Sequence, residues 1–431
     1  MDDTRHINPT GSDNAPADVS NSAQAVDIAI VGGAMAGATL ALALEQLCKL
    51  SDAPLSIALI EARAPGDEHP GFDARAIAVA EGSIEELKRL GVWRHLSRLG
   101  TPITDIHVSD RGHFGMTELN SSAFGLPYLG QVVELEAVGK ALFDAMAKTR
   151  IQLLCPDSLV GMEAGQDAHT LLLESGKKLS AKLVVAADGL GSAVRSHFNL
   201  PLEQVDFDQE AVIANVVTRQ PHEHWAWERF TDTGPLALLP MAAINGEQRL
   251  SLVWALPPDE ARMLQDCDEQ RFVSQLQQAF GNRAGVFLGA GNRQRYPLKL
   301  SWMPRPIHHR CVFVGNAAQT LHPIAGQGFN LGLRDIVDLT RVLQQALSEN
   351  RHADVGDIRL LHRYLTLREH DRRETLLAIE SLVRGFSNQY WPLVAGRSVG
   401  LRLLSWCPPL KAPLASRAMG WRRGVRLTPN L

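Results

Sequence analysis

The residues best placed to do chemistry in this 431-residue chain lie between Gly315 and Asp335. Gly315-Asn316 ends an apolar run of strand composition, and His322-Pro323 requires an extended backbone because a residue before proline avoids helical angles. Gly326-Gln327-Gly328 then leads into a helical pattern. A helix N-terminus after such a turn presents free N–H groups and positive dipole charge. The stretch predicts a site for an anionic or polarised ligand, against the alternative of a tight connection without one.

A second glycine turn lies near the N-terminus. Residues 26–31 have the composition of a buried parallel strand and lead into Gly32-Gly33-Ala34-Met35-Ala36-Gly37 and an apolar helix. This order is typical of a dinucleotide-binding fold, although Ala34 takes the place of the glycine that lets the backbone approach a pyrophosphate. The next strand ends at Glu61, 24 residues after Gly37. That spacing favours a carboxylate that binds ribose hydroxyls over a surface glutamate at a strand end.

Two further positions suit the same kind of ligand. Asp188-Gly189 follows the buried strand at 182–187, and an aspartate at the carboxyl end of a parallel strand faces the ligand crevice. The same aspartate could instead cap the helix that follows. Residues 71–78 predict a turn leading into a helix, where the planar guanidinium of Arg75 is suited to a phosphate. Without a phosphate, Arg75 would be a solvated arginine.

The elements that position these turns predict an α/β protein with an α+β insert. We expect a Rossmann-like lobe, a substrate lobe with a mixed or antiparallel sheet, and a C-terminal helical region. The alternating pattern of residues 103–119 indicates a hairpin that breaks the strand–helix alternation. The predicted boundaries are a disordered tail at 1–25, a nucleotide-binding domain at 26–100, 131–199 and 296–343, a substrate domain at 101–130 and 200–295, and the helical region at 344–431.

Composition excludes several classes of function. A net charge of −4 argues against a general nucleic-acid binder. The histidines and the five widely separated cysteines show no metal-ligand spacing, so we expect no metal and a reduced, cytoplasmic setting. The chain has no uninterrupted apolar run of the roughly 18 residues that a membrane span needs.

Four aromatic residues fall in strands predicted for the substrate lobe: Trp225, Trp227, Phe230 and Trp254. They could line an apolar pocket. Aromatic residues in strands more often belong to the core, so both interpretations stay open.

The C-terminal region is basic and carries tryptophans. From residue 376 onward eight basic residues oppose Glu380 alone, a net charge of +7, so the first 375 residues carry −11. Trp391, Trp406 and Trp421 interleave with the arginines. This pattern suits peripheral contact with an anionic membrane, at the inner face of which the protein would sit. The alternative is a helical cap with a solvated basic face.

Several segments together resemble those of a known family. They are G-F-D-A-R-A-I-A, H-V-S-D-R-G-H, G-Q-V-V-E-L, A-A-D-G, E-R-F-T-D-T-G-P-L-A-L-L-P-M and the stretch from Gly315 to Asp335. From Asp27 to the C-terminal region the chain resembles the group A flavin monooxygenases, and more closely the ubiquinone-biosynthesis hydroxylases. Within these it is most similar to the branch that hydroxylates 2-octaprenyl-6-methoxyphenol at C1. The resemblance implies FAD, NAD(P)H as a transient electron donor, and ring hydroxylation through a flavin C4a-hydroperoxide.

The resemblance also assigns the candidate site residues. It implies that Gly32, Gly33 and Gly37 hold the pyrophosphate, that Glu61 binds the ribose and that Arg75 closes over the dinucleotide. Gln131 would lie beside the cofactor, and Asp188 and Gly189 form a D-G motif. Gly315-Asn316 replaces the G-D motif of the wider group with an uncharged acceptor. His322 and Pro323 would lie beside the flavin ring as catalytic residues, and Gly326, Gln327, Gly328 and Asn330 would face its N1/O2 edge.

Alternatives to a ubiquinone-biosynthesis hydroxylase remain open at this stage. One is another flavoprotein hydroxylase or reductase on the same scaffold. The other is a non-catalytic FAD-binding subunit of a biosynthetic complex, which Ala34 and Asn316 leave open. The expected partners are a polyprenylated phenol, O2 and other ubiquinone-biosynthesis proteins. His322 is a candidate base for the phenol, against a structural role beside its proline.

Overall fold

The computed structural model of the protein describes residues 23–51, 54–66, 75–112, 115–321, 327–386, 416 and 419–421, and for residues 327 and 382–386 the backbone alone. The strands in this part of the chain are β1 (Gln24–Val31), β2 (Ile57–Ile60), β3 (Ala76–Ala80), β4 (Thr101–Ile103), β5 (Asp105–Asp110), β6 (Met116–Asn120), β7 (Gly130–Glu134), β8 (Gln152–Leu154), β9 (Leu159–Glu163), β10 (His169–Leu173), β11 (Lys178–Ala186), β12 (Glu203–Thr218), β13 (Trp225–Phe230), β14 (Pro235–Ile244), β15 (Glu247–Leu256), β16 (Phe287–Ala290), β17 (Gln294–Trp302), β18 (Ile307–His308), β19 (Cys311–Phe313) and β20 (Gln319–Thr320). The α-helices are α1 (Met35–Ser51), α2 (Glu81–Arg89), α3 (Trp93–Leu96), α4 (Leu135–Met146), α5 (Ala193–His197), α6 (Pro258–Asp266), α7 (Glu269–Phe280), α8 (Gln327–Glu349) and α9 (Ile358–Phe386). Short 3-10 helices lie at Ser121–Phe124 and Gly315–Ala317.

The first sheet is built on parallel strands. Its order is β18-β19-β11-β1-β2-β8, where β19, β11, β1, β2 and β8 are parallel, and β10 and β9 are attached antiparallel at β11. The carboxyl halves of the central strands are apolar and buried, as expected of strands covered on both faces. Side chains such as Ile28 and Leu183 pack against α1, α4 and α8, whereas Ala29 and Val184 face β9, β10 and α5.

The second sheet is mostly antiparallel. Its order is β20-β17-β12-β15-β14-β13-β5-β6, with β16 beside β12, and only the β13–β5 pair among the described pairings of this sheet is parallel. The hairpin expected at residues 103–119 is confirmed, since β5 and β6 pair antiparallel. One face of the sheet packs against α6 and α7. The sequence prediction of a Rossmann-like lobe with a mixed-sheet second lobe is therefore confirmed.

A small antiparallel sheet, β3-β7-β4, contacts β14 of the second sheet, and its strand β3 also contacts α8. The helix predicted within residues 71–78 is wrong for the described residues, because Ala76–Ala80 is a strand and α2 begins only at Glu81. Alanine-rich sequence is compatible with helix, and here pairing with β7, more than fifty residues away, decides the backbone conformation.

The strands cross three of the predicted domain boundaries, and one of these strands, β7, crosses the boundary between residues 130 and 131. β1 already contains Gln24 and Ala25, which the sequence prediction placed in the disordered tail, and β17 runs across residue 296. Residues 1–22 and most of the basic C-terminal region, with Trp391 and Trp406, lie outside the described residues. The division into domains stays a prediction. Among the described helices, none combines the length and apolar character needed to cross a membrane.

Candidate cofactor and active site

Three turns meet at one edge of the first sheet. β1, β11 and β19 are parallel neighbours, and their carboxyl ends lead into Gly32, Asp188 and Gly315. The sheet grows from β1 to β2 on one side and from β1 to β11 and β19 on the other, so the chain changes winding direction at β1. Ligands of open α/β sheets bind outside the carboxyl ends of the strands at such a point. The fold therefore unites turns that are far apart in sequence.

The first turn has no room for side chains at its glycines. Gly32 has a φ of +98°, and a Cβ there would lie 2.6 Å from the carbonyl oxygen of Ala187. A Cβ at Gly37 would lie 1.8 Å from the carbonyl oxygen of Gly32. Ala34, by contrast, is not among the residues with positive φ, so its methyl group imposes no backbone strain. The substitution at the second glycine of the pattern is compatible with the turn.

Glu61 is buried at the end of β2 and already bonds the backbone. Its Oε2 accepts a hydrogen bond from Gly33 N at 2.5 Å, and its Oε1 accepts one from Arg63 N at 3.0 Å. The carboxylate therefore fixes the glycine turn against β2. Its predicted contact with a ribose stays a prediction, and it would add to this positioning role.

The two carboxylate oxygens of Asp188 have different surroundings: one caps the following helix and the other has no partner among the described residues. Oδ2 accepts hydrogen bonds from Ala193 N at 2.8 Å and Val194 N at 3.4 Å, so the capping role considered for this residue is present. Oδ1 is buried and has no hydrogen-bond partner among the described residues. Burial raises the pKa of Asp188, because desolvation disfavours its charged form. Gly189 beside it has a φ of +79°. The unpaired Oδ1 is an acceptor available to a ligand donor.

The third turn is held by a buried cluster of charged and polar side chains on α8, α9 and β20, which the sequence did not predict. Gly315 N donates to Asp335 Oδ2 at 3.0 Å, and Asp335 Oδ1 accepts from Arg368 Nε of α9 at 2.8 Å. Both side chains of this ion pair are almost completely buried, at 2% and 1% exposure. Gln319 donates to Asp335 at 2.7 Å and accepts from Arg372 Nε at 2.7 Å. Arg368 and Arg372, four residues apart and so on one face of α9, were the available sequence signal.

The flavin-facing end of this turn is only partly described. His322, Pro323 and Gly326 lie outside the described residues, and so does the side chain of Gln327. Gln327 begins α8, and a Cβ added at Gly328 would meet no atom within 4 Å. Asn316 is exposed at the top of the 3-10 helix. The predicted helix start after the glycine turn is confirmed, and the catalytic roles of His322 and Pro323 stay predictions.

Three other predicted cofactor residues have structural partners or lie near the site. The guanidinium of Arg75 lies 4.9 Å from the ring centroid of Tyr296, a cation–π contact with the second sheet. Asn330 accepts from Ala80 N at 3.1 Å and donates to Ala78 O at 3.2 Å, so it holds β3 against α8. Gln131 is buried on β7, and its Oε1 has no partner among the described residues. The cofactor contacts of all three stay predictions.

The four aromatic residues are core residues. Trp227 and Trp254 are buried against the α6–α7 layer, with Trp225 beside them, and Phe230 is buried on the opposite face of β13. The core interpretation therefore holds over that of a shared aromatic pocket.

The residues at the meeting of the turns fit FAD. A Cβ at Gly32 or Gly37 would clash with neighbouring backbone, so these glycines allow the tight turn of a dinucleotide-binding fold. Asp188 presents there a buried acceptor without a partner among the described residues, which suits a hydroxyl or N–H donor of a flavin dinucleotide.

Comparisons with known proteins agree with this geometry. The family model for the FAD binding domain matches residues 25–370. The ubiquinone hydroxylase UbiL of Rhodospirillum rubrum is 32% identical over 415 residues, which cover 94% of this chain and 92% of that protein. The 3-demethoxyubiquinol 3-hydroxylase of Escherichia coli is 30% identical and covers 92% of this chain and 99% of that protein. The solved structure of p-nitrophenol 4-monooxygenase PnpA from Pseudomonas putida has a TM-score of 0.70 at 16% identity over 93% of this chain and 100% of that chain, a likeness of fold.

Proposed function

The chain belongs to the FAD-binding-domain family of monooxygenases, and we propose that it hydroxylates the ring of a polyprenylated phenol in ubiquinone biosynthesis. The proposed substrate is 2-octaprenyl-6-methoxyphenol, hydroxylated at C1. The observation that carries the cofactor is the meeting of the Gly32, Asp188 and Gly315 turns at the carboxyl edge of the first sheet, and the family supports the reaction class. The relatives that span more than nine-tenths of the chain support the pathway.

Bound FAD would supply the activation of O2 and the transfer of one oxygen atom. The chain's own residues would bind and orient it. Gly32, Gly33 and Gly37 would admit the pyrophosphate, and Asp188 Oδ1 would accept a hydrogen bond from the cofactor. The N-terminus of α8 at Gln327-Gly328 would stabilise negative charge that develops beside it, because its amides and helix dipole point there.

The remaining partners belong to the same proposal. NAD(P)H is the proposed electron donor, and other ubiquinone-biosynthesis proteins are proposed partners. We place the protein in the cytoplasm, with peripheral contact to the inner face of the membrane through the basic C-terminal region. That location suits a substrate whose prenyl tail partitions into lipid.

The first test is the absorbance spectrum of the purified protein, recorded before and after anaerobic titration with NADPH. We expect the two visible bands of a bound flavin and their bleaching by NADPH. Oxygen-dependent hydroxylation of a short-chain prenylated 6-methoxyphenol, detected as product mass, should follow. Protein that is colourless and takes up no added FAD would contradict the cofactor assignment. Flavin that NADPH reduces without any product from prenylated phenols would instead favour another flavoprotein on this scaffold.

A further inference from the structure

We propose that Glu228 contacts the hydroxyl of the substrate phenol and accepts its proton, an assignment that rests on the proposed function. Glu228 lies on β13 between Ala226 and Phe230. Side chains alternate between the two faces of a strand, so these three residues share one face and Trp227 points to the other. Trp227 packs against the α6–α7 layer, which places Glu228 on the opposite face of the second sheet, toward the small sheet and α8.

That face of β13 points toward the cofactor turns. Ala226 belongs to a cluster with Ala76 of β3, and Phe230 to a cluster with Leu321 and Leu331. Leu321 precedes α8, and Leu331 lies in its first turns. Glu228, midway between the two clusters, therefore faces β3 on one side and the first turns of α8 on the other. The reactive ring of FAD is expected beside these two elements.

The carboxyl group of Glu228 is buried and lacks a full set of partners. Its Oε1 is inaccessible to solvent and has no hydrogen-bond partner among the described residues. Burial raises the pKa of Glu228 to about 7. A buried carboxyl without a partner is unfavourable in a core that apolar residues could fill. Glu81 of α2 is in the same state, so the position of Glu228 on the face of β13 toward β3 and α8 is what indicates a ligand that completes it.

The surroundings of Glu228 on this face suit an aromatic ring. Its direct neighbours across the strands are Val108 on β5 and Ala237 on β14, and Val253 on β15 follows next to Ala237. These three apolar residues are only half-buried, whereas Leu238 and Leu252 on the opposite face of the same strands are fully buried. The face therefore leaves an apolar recess around the carboxyl group.

Other charged groups near this face are accounted for. Strand alternation also places Asp110 on it, at the far end of β5, and Asp110 has partners of its own. Arg75 and Tyr296 contact each other toward β17. On α8 and α9, Asp335 and Asp338 pair with Arg368, and Arg334 pairs with Asp371. Arg249 of β15, on the same face as Val253, pairs with Glu134 of β7 at 3.0 Å. Burial is the cause of the raised pKa of Glu228.

The proposed step is a proton transfer. The O–H bond of the phenol breaks, an O–H bond to Glu228 forms, and the negative charge moves from the carboxylate to the phenolate oxygen. The phenolate is more electron-rich at the ring carbon that receives oxygen. A raised pKa makes Glu228 a stronger base than a solvated carboxylate and brings it closer to a phenol, whose pKa is about 10. Glu228 acts only when ionised, so the rate should rise with pH through about 7.

The test compares the wild-type holoenzyme with Glu228→Gln, which keeps the shape of the side chain and removes its basicity. We expect the flavin spectrum to be retained and kcat to fall about 100-fold or more. The acidic limb of the pH profile, near pH 7 in the wild type, should disappear. A variant that keeps both the rate and the limb would overturn the assignment. A wild-type enzyme without flavin or product would contradict the proposed function instead.

A second readout does not need turnover. The wild type should bind simple phenol about tenfold or more tightly once pH rises above 7, because ionised Glu228 accepts a charge-assisted hydrogen bond. Glu228→Gln should bind phenol equally across this range. Glu81→Gln is the matched control, since Glu81 is also buried with a pKa raised to about 7 but lies on α2. Equal pH dependence in all three proteins would overturn the assignment.

If Glu228→Gln fails to fold, Glu228→Asp decides the question. The shorter carboxylate should retain the acidic limb at a reduced rate, because the base is still present but farther from the phenol. A folded Glu228→Asp enzyme without the limb would overturn the assignment.

Discussion

At the scale of single residues, the turns of the site are held by buried carboxylates. Glu61 and Asp335 accept hydrogen bonds from backbone N–H groups of the glycine turns, at Gly33 and Gly315. Asp188 caps a helix with one oxygen and leaves the other unpaired. Hydrogen bonds that a carboxylate accepts from backbone amides fix a turn more tightly than neutral hydrogen bonds do. These residues therefore hold the turns at the cofactor edge in place, and Asp188 keeps one oxygen as a free acceptor.

Gly37 offers a direct test of the first glycine turn. Gly37→Ala should weaken FAD binding by more than tenfold, since its Cβ would lie 1.8 Å from the carbonyl oxygen of Gly32 and the turn must move. We also expect a loss of about 1–3 kcal/mol in the free energy of unfolding, the usual cost of overpacking. Flavin fluorescence titration and urea unfolding measure the two effects. Gly66→Ala is the control, because nothing lies within 4 Å of a Cβ there. Equal FAD affinity in both variants would contradict the tight-turn interpretation.

At the scale of elements, α9 acts on the site from a distance. It contributes Arg368 and Arg372, which together reach Asp335, Gln319 and the carbonyls of Met303 and Ala318. α9 thereby clamps the 3-10 helix at Gly315–Ala317 and the entry to α8. A helix assigned by sequence to a separate C-terminal region is part of the support of the cofactor edge.

Removing the positive charge of Arg368 should lower the free energy of unfolding substantially. Arg368→Met leaves Asp335 buried without the cation it pairs with, for which we expect a loss of about 3–5 kcal/mol in unfolding free energy. FAD should dissociate at a lower temperature, because Gly315 loses its fixed anchor.

The control for this clamp is Arg359→Met in the same helix. Arg359 is 86% exposed and paired with Asp357, so its loss should cost at most about 1 kcal/mol. Urea unfolding and the temperature of flavin release measure both variants. Similar small effects for the two substitutions would show that the buried cluster does not hold the turn.

At the scale of the whole molecule, positive charge is concentrated in the C-terminal region and negative charge in the rest of the chain. Residues from 376 onward carry +7 and the rest carries −11. Part of the basic region returns to the body: Gly82 N donates to Met419 O at 2.8 Å, and Met419 is buried against Phe124 and Leu129. Trp421 packs beside them. This docked segment therefore places part of the basic region on the body of the protein.

Neutralising these arginines tests the membrane proposal. Replacement of Arg417, Arg422, Arg423 and Arg426 by Gln should weaken binding to anionic vesicles more than tenfold, since each basic residue at such a surface contributes on the order of 1 kcal/mol. Vesicle sedimentation at low and high salt measures it. The control replaces the exposed Arg89, Arg94, Arg98 and Arg359, an equal change in net charge elsewhere on the chain. Unchanged binding, or an equal loss in the control, would rule out a specific basic contact surface.

The sequence by itself determined the features that depend on neighbours along the chain. Apolar runs ending in Gly32, Asp188 and Gly315 predicted parallel strands with ligand turns, since buried strands and glycine turns have local signatures. The hairpin at 103–119 followed from alternation alone. The tertiary structure decided what depends on distant partners. β3 became a strand only through pairing with β7, and Arg368 could be tied to Asp335 only once α9 lay across α8. Glu228 became a candidate base only when folding buried it opposite the cofactor edge, because desolvation by the surrounding fold raised its pKa.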